Sequence, residues 1–178
     1  MKPLLVKASL LLTLISVCTK VVEAKPLETT PKLHGLKIAI VKDAVGSTDI
    51  VAGDYTTGLS KIDELTPKQE SGYDIAMGKC VANIKLNELA NANMACSQAI
   101  EAIDAMNGRS RHIEFLKSMA LSNRAIVRYL SNDSLGALDD FTSALLVNDN
   151  KIVKSNILAL KQIRLDQDEK LVASSFSE

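Results

Sequence analysis

The chain has 178 residues, with 21 Lys and Arg against 21 Asp and Glu and a formal net charge of zero. That balance argues against a nucleic-acid binder, which would need a basic face to neutralise phosphates. The length suits one domain with a continuous core rather than several. In chain order, the first segment stands apart from the fold. Met1 to Ala24 opens with Lys2 and Lys7, runs through apolar Leu10 to Val17 and ends on Val22-Glu23-Ala24, with small or compact residues at the two positions an export peptidase reads. This is the pattern of a secretory signal peptide, cleaved after Ala24. The apolar run falls short of the roughly 20 residues that cross a bilayer, so a retained anchor is the lesser alternative and no stable membrane span is expected after processing. Cys18 leaves a lipidated form open, although Val17 stands where such sites want Gly, Ala or Ser. Processing leaves 154 residues, 18 of them basic and 20 acidic. The expected location is therefore outside the cytoplasm: periplasmic in a Gram-negative bacterium, secreted otherwise.

Residues 25–45 read as a flexible or extended leader. Lys25 to Leu33 carries two prolines and two adjacent threonines and buries little. Leu36-Lys37-Ile38-Ala39-Ile40-Val41 has the alternating, β-branched look of a strand. No second strand candidate follows, and a single strand has no ladder to join. The segment is expected to lie extended along a helix or to pair with another chain.

Cys80 and Cys96 are the cysteines that survive processing, an even count in a compartment where disulfides persist. A metal site is not expected, because tetrahedral coordination wants four ligands and His34 and His112 stand far away in sequence. A catalytic thiol needs a base held nearby, and none is recognisable. A structural disulfide leads, ahead of two buried free thiols and of redox chemistry.

From Gly46 onward the pattern is helical. Thr66-Pro67-Lys68-Gln69 has the residues of a capping box with proline at the first helical position, which predicts a helix from there to about Leu86. Asn87 makes the turn, and the next helix covers about Glu88 to Met106. Gly108 stops it, and Ser110 opens a helix reaching about Leu130. Asn132-Asp133-Ser134 turns the chain again, and the partner helix ends near Val147. A last helix, Lys151 to Leu165, places Ile152, Ile157, Leu160 and Ile163 toward the core and Lys154, Lys161 and Arg164 among its exposed positions.

The intervals between small residues organise these helices. Gly53-Asp54-Tyr55 followed by Gly58, Leu59 and Ile62 resembles Asn132-Asp133-Ser134 followed by Ala137, Leu138 and Phe141. Ala92, Cys96 and Ala99 share the spacing of Ala137, Phe141 and Ala144, so each trio lies on one helix face. Gly46 to Cys80 is 34 residues, Cys80 to Ala125 is 45 and Ala125 to Ala159 is 34, so one period carries an insertion of eleven around Asn107 to Lys117. The segment NRAIVRYLSNDSLGALDDFTSALLVND resembles a tetratricopeptide repeat, whose period is 34. The unit from Gly72 to Asp104 is similar, although the Trp common early in the motif is missing and Cys96 stands where a bulky residue is usual. The resemblance implies an all-α fold, a short helical-repeat solenoid of antiparallel helix pairs of an exported bacterial type. Its units would be about 46–71, 72–105 and 110–149, with a capping helix over 150–171 and a tail over 172–178. In that frame Cys80 and Cys96 face each other across one helical hairpin, within reach of the separation a disulfide prefers.

The resemblance also implies a function. The inner face of such an array, built from the first helix of each unit, holds a partner's extended or helical peptide. Carried onto this sequence it comprises Met77, Val81, Ile84, Met119, Ser122, Asn123, Ile126, Tyr129, Asn156 and Leu160, continuing to Ile163. Asn123 is the most telling, because an amide offers a donor and an acceptor to a peptide backbone. The alternative for Asn123 is an internal contact between helices. Asp166 to Glu178 is expected to lie over part of the face. The expected partner is another protein or peptide, with no cofactor; the competing reading is a structural or self-associating subunit, a homo-oligomer whose inner face is filled by its own chain or a copy. An enzyme is not expected. Ser110, Ser118 and Ser122 lack an activating motif, Asp139 and Asp140 point about 100° apart on a helix and read as surface charge, and Arg109, Arg111 and His112 read as a solvated basic turn.

Overall fold

The structure, a computed structural model, describes residues 33, 35–65, 71–106 and 108–175. The signal-peptide expectation for residues 1–24 and the capping box at Thr66 to Gln69 lie outside them. The described residues are helical, with no strand: α1 Ser47–Ala52, α2 Tyr55–Asp63, α3 Gly72–Lys85, α4 Leu89–Asp104, α5 Arg111–Leu130, α6 Ser134–Val147 and α7 Lys151–Ser175. No helix among them is long and apolar enough to cross a membrane.

Capping side chains fix most of the helix starts. The Asp54, Ser71, Ser110 and Asp133 side chains each accept a backbone N–H from the first turn of the helix that follows, satisfying one of its otherwise unpaired donors. Ser71 corrects the predicted start at Thr66. It is in an extended conformation, accepts the Asp74 N–H and donates its own hydroxyl to the Asp74 carboxylate, so α3 begins at Gly72. A Ser followed three residues later by an acid was as good a signal as the one around Pro67.

Three hairpin turns share one backbone geometry. Gly53, Asn87 and Asn132 take left-handed conformations with φ of 93°, 61° and 63°, and the residue after each is the N-cap of the next helix, at ψ of 72°, 67° and 74°. In each turn the left-handed residue's N–H is bonded three residues back and the next N–H five back: Asp54 to Asp49, Glu88 to Asn83 and Asp133 to Arg128. These bonds satisfy carbonyls at the helix end, and glycine or asparagine tolerates the left-handed angle. Residues 53 to 87 are 34 apart and 87 to 132 are 45 apart, the intervals found between small residues in the sequence.

Each helix packs on its successor, most extensively α3 with α4 and α5 with α6. The odd-numbered helices also touch in order, α1 with α3, α3 with α5 and α5 with α7, whereas no two even-numbered helices touch among the described residues. Small side chains permit the close approaches. Cys80 and Ala125 are fully buried, as are both trios, Ala92, Cys96, Ala99 and Ala137, Phe141, Ala144. Between α1 and α2 the contact is tighter still: a Cβ on Gly58 would stand 3.0 Å from the Gly46 carbonyl oxygen and 2.5 Å from Ile50 Cγ1. Cys80 and Cys96 are joined in a disulfide across α3 and α4, with Cα atoms 4.9 Å apart.

One surface assignment is overturned. Asp140 is 2% exposed because α6 buries Ala137, Asp140, Phe141 and Ala144, positions that recur at helical spacing and include the acid. Arg124 of α5 grips its carboxylate with two nitrogens at 2.7 and 2.8 Å, and Arg128 approaches to 3.2 Å. Arg124 also donates to the Ser97 hydroxyl of α4, so one buried carboxylate ties three helices. Asp139 alone is exposed. Residues 166–175 continue α7, with the described side chains from Arg164 to Lys170 exposed, and Gln167 lies against the Tyr129 hydroxyl.

Candidate polypeptide-binding site

Residues of α5 recurring every three or four positions, Met119, Ser122, Asn123, Ile126 and Tyr129, are buried on one stripe. On α7 the stripe contains Val153, Asn156 and Leu160, also buried. Asn150 fixes where α7 starts: its side-chain oxygen accepts the Ile152 and Val153 N–H groups, and its amide nitrogen donates to Ser118 Oγ of α5. That contact sets the register between the two helices and brings Asn156 to Ser122, to whose hydroxyl it donates at 2.9 Å.

The amino-terminal extended segment runs across this stripe. The Asn156 side chain accepts the Lys37 N–H at 2.7 Å and donates to the Lys37 carbonyl at 2.9 Å. The Asn123 side chain does the same for Ala39, accepting its N–H at 2.9 Å and donating to its carbonyl at 2.7 Å. In an extended chain the N–H and C=O of one residue face one edge, and the residue two positions on presents the same edge. Each asparagine therefore replaces one residue of a neighbouring strand. Four bonds hold a segment that has no strand partner among the described residues, each contributing a net of about 1 kcal/mol.

Apolar contacts complete the seating. Leu36, Ile38, Ala39 and Val41 pack against the main core, and Ile38 and Ile40 also pack on a second cluster made by Ile50, Ile62, Val81 and Ala82. The segment therefore passes from α7 over α5 toward α1, α2 and α3. Lys37 remains exposed. Leu36 to Val41 suggested an extended segment lying along a helix; the segment is extended but crosses several helices, and apart from exposed Lys37 its side chains are partly buried.

Some of the sequence-predicted residues are bonded to the extended segment, and others belong to the core on which it packs. Asn123 and Asn156 converge on residues 37–39, and Ser122 supports Asn156. Val81 meets Ile38 and Ile40 in the second cluster. Met77, Ile84, Met119, Ile126, Tyr129 and Leu160 belong to the main core, each at most 8% exposed, and do not form an open surface. Asn123 makes its bonds to the extended segment rather than to another helix. The Tyr129 hydroxyl is buried beside Gln167, and burial raises its pKa above the ordinary tyrosine value. Sequence reasoning missed that Lys37 and Ala39 are the residues held. Their alternate positions in a β-like hexamer were visible, but nothing in the sequence said which helices they would reach.

The serines have structural roles here. Ser110 caps α5, Ser118 Oγ donates to the Phe115 carbonyl and accepts from Asn150, and Ser122 accepts from Asn156. Arg109, Arg111 and His112 lie on exposed positions at the start of α5. Comparison of the chain with protein-family models, with curated proteins and with solved structures finds no match.

Proposed function

We propose that the chain is an exported, tetratricopeptide-like repeat module that grips an extended polypeptide by its backbone, and that it is not an enzyme. The carrying observation is the pair of asparagine clamps: two fully buried amides, each bonding both peptide groups of residues two apart on one extended strand. A repeat origin is supported by the three like turns at intervals of 34 and 45, and by odd-numbered helices that touch in series while the even-numbered ones stay apart. Stacked hairpins of this kind bury faces that one hairpin cannot bury alone and leave an inner surface for binding. Bonds to peptide groups carry affinity without naming a sequence, and apolar side-chain seats at alternate positions add selectivity.

The second reading is a structural or self-associating subunit, favoured by the groove's being filled with the chain's own residues 36–41. A labelled peptide with the sequence of residues 33–43, titrated into the full chain and followed by fluorescence anisotropy, separates the two. A binding module should bind it saturably, and Asn123→Ala with Asn156→Ala should weaken binding at least about tenfold. Binding indifferent to both asparagines would sink the clamp assignment. No binding at all, even to variants with a loosened segment, would favour the subunit reading.

A further inference from the structure

Resting on the binding-module reading, we infer that residues 36–41 are a built-in occupant of the groove. A foreign extended polypeptide with aliphatic side chains on alternate positions would have to displace them in order to bind. Four observations lead there. First, the clamps belong to the body and the strand is the removable part: Asn123 and Asn156 are fully buried, whereas no residue from Leu36 to Val41 is. Second, among the described residues each hydrogen bond between strand and helices joins a side-chain amide to a peptide group, so any polypeptide with N–H groups at two positions two apart can take over all four. Third, vacancy is unfavourable. Asn156 would keep Ser122, but Asn123 would give up both of its bonds to Ala39, and the apolar clusters on which Leu36, Ile38 and Ile40 pack would face water. Exposing apolar surface costs about 25 cal/mol per Å², so the released state is a minor one and a replacement occupant regains what the strand gives up.

Fourth, the seated segment states the chemistry of what can replace it. Ile38 and Ile40 fill the cluster of Ile50, Ile62, Val81 and Ala82, and Leu36 packs on the main core. The replacement therefore carries branched or long aliphatic side chains at three alternate positions, any side chain at the exposed position of Lys37, a small one at that of Ala39, and proline at neither. The chain's own strand competes at the high effective concentration of a tethered ligand. A partner's apparent affinity is then its intrinsic affinity reduced by the fraction of time the groove is released.

The test uses the full chain with Lys37→Pro and Ala39→Pro together. Proline removes the two N–H groups that the asparagine oxygens accept, suits an extended conformation and leaves the groove residues untouched. The probe is a labelled peptide carrying Leu36 to Val41 in its natural sequence, with a control peptide that has Asp at the three aliphatic positions. The double-proline chain should bind the probe at least about tenfold more tightly than wild type, and adding Asn123→Ala should erase the gain. Neither chain should bind the control. In unaltered protein, the Lys37 and Ala39 amides should exchange with solvent at least about a hundredfold faster than those of Ala125 and Ile126 in α5, reporting local release.

Equal probe affinity for both chains, with Lys37 and Ala39 exchanging as slowly as α5, would show the strand to be a fixed part of the fold, leaving the clamp assignment intact. Failure of both chains to bind the probe would instead remove the binding-module reading itself. A wild-type dimer in sedimentation that the two prolines dissociate would make a second copy the occupant and overturn the inference.

Discussion

Asp140 shows at the scale of a single residue how far position can override residue type. It is an acid in a helix stripe otherwise made of alanines and a phenylalanine, and two arginines one helical turn apart neutralise it. Because Arg124 and Arg128 keep 19% and 28% of their side-chain exposure, they can turn to water when the acid is removed. Asp140→Ala should therefore cost about 1 to 3 kcal/mol, below the range for an enclosed pair, whereas Asp139→Ala should change stability by less than about 0.5 kcal/mol. Chemical denaturation of the two variants checks this, and equal effects would contradict it. The tyrosines give a pH dependence. Burial raises the Tyr73 and Tyr129 pKa values above the ordinary 10, and Tyr73 also donates to the Leu116 carbonyl. A raised folded-state pKa means that above pH 10 the native chain holds protons the unfolded chain has released. Stability is then full below pH 10 and falls as pH rises beyond it. Melting temperature should drop across that range. Replacing Tyr73 with Phe should flatten the drop, at the cost of one hydrogen bond.

The helical elements were the most legible part of the sequence. Glu88, Ser110 and the Asn132-Asp133 turn mark the starts of α4, α5 and α6 because caps and left-handed turn residues act over three or four positions, a range a sequence displays directly. The start of α3 was misplaced because two capping signatures stood five residues apart, and local residues alone do not rank them. The destination of Leu36 to Val41 was not legible, since its clamps lie 84 and 119 residues away. At this scale the α5 and α6 contact predicts that Ala137→Leu, inserting three carbons into a fully buried site, destabilises by about 1 to 3 kcal/mol in a thermal melt. A neutral result would mean that the two helices can part without strain. The α3 and α4 hairpin carries its own prediction. Cys96 stands where α6 has Phe141, so the hairpin has less side-chain volume to hold it and a covalent bond instead. Closing a loop of 16 residues removes unfolded-state entropy worth about 3 kcal/mol. Reduction should lower the melting temperature, and non-reducing peptide mapping should recover the two cysteines in one linked fragment. Free alkylation of both in native protein would remove the bond from the account.

For the whole molecule, export is the prediction that governs the rest, because the disulfide needs an oxidising compartment to persist. Intact-mass measurement on protein from its host should show a chain beginning at Lys25, and a mature form retaining Leu10 to Val17 would refute cleavage there. The reach of the amino-terminal strand has a further consequence for how the molecule comes into being. Each helical hairpin closes on its near neighbour, so such contacts can form while synthesis continues. Leu36 to Val41 cannot follow that order, for Asn156 is made 119 residues after Lys37. At the usual pace of translation the interval is roughly 6 to 24 s. Throughout it a six-residue tract of high β-propensity with a single charge has no groove to enter, the composition that pairs with its own kind in neighbouring nascent chains. The first part of the fold to leave the ribosome is thus the last that can be sheltered, and a holdase that covers the tract during passage should raise the yield of native protein.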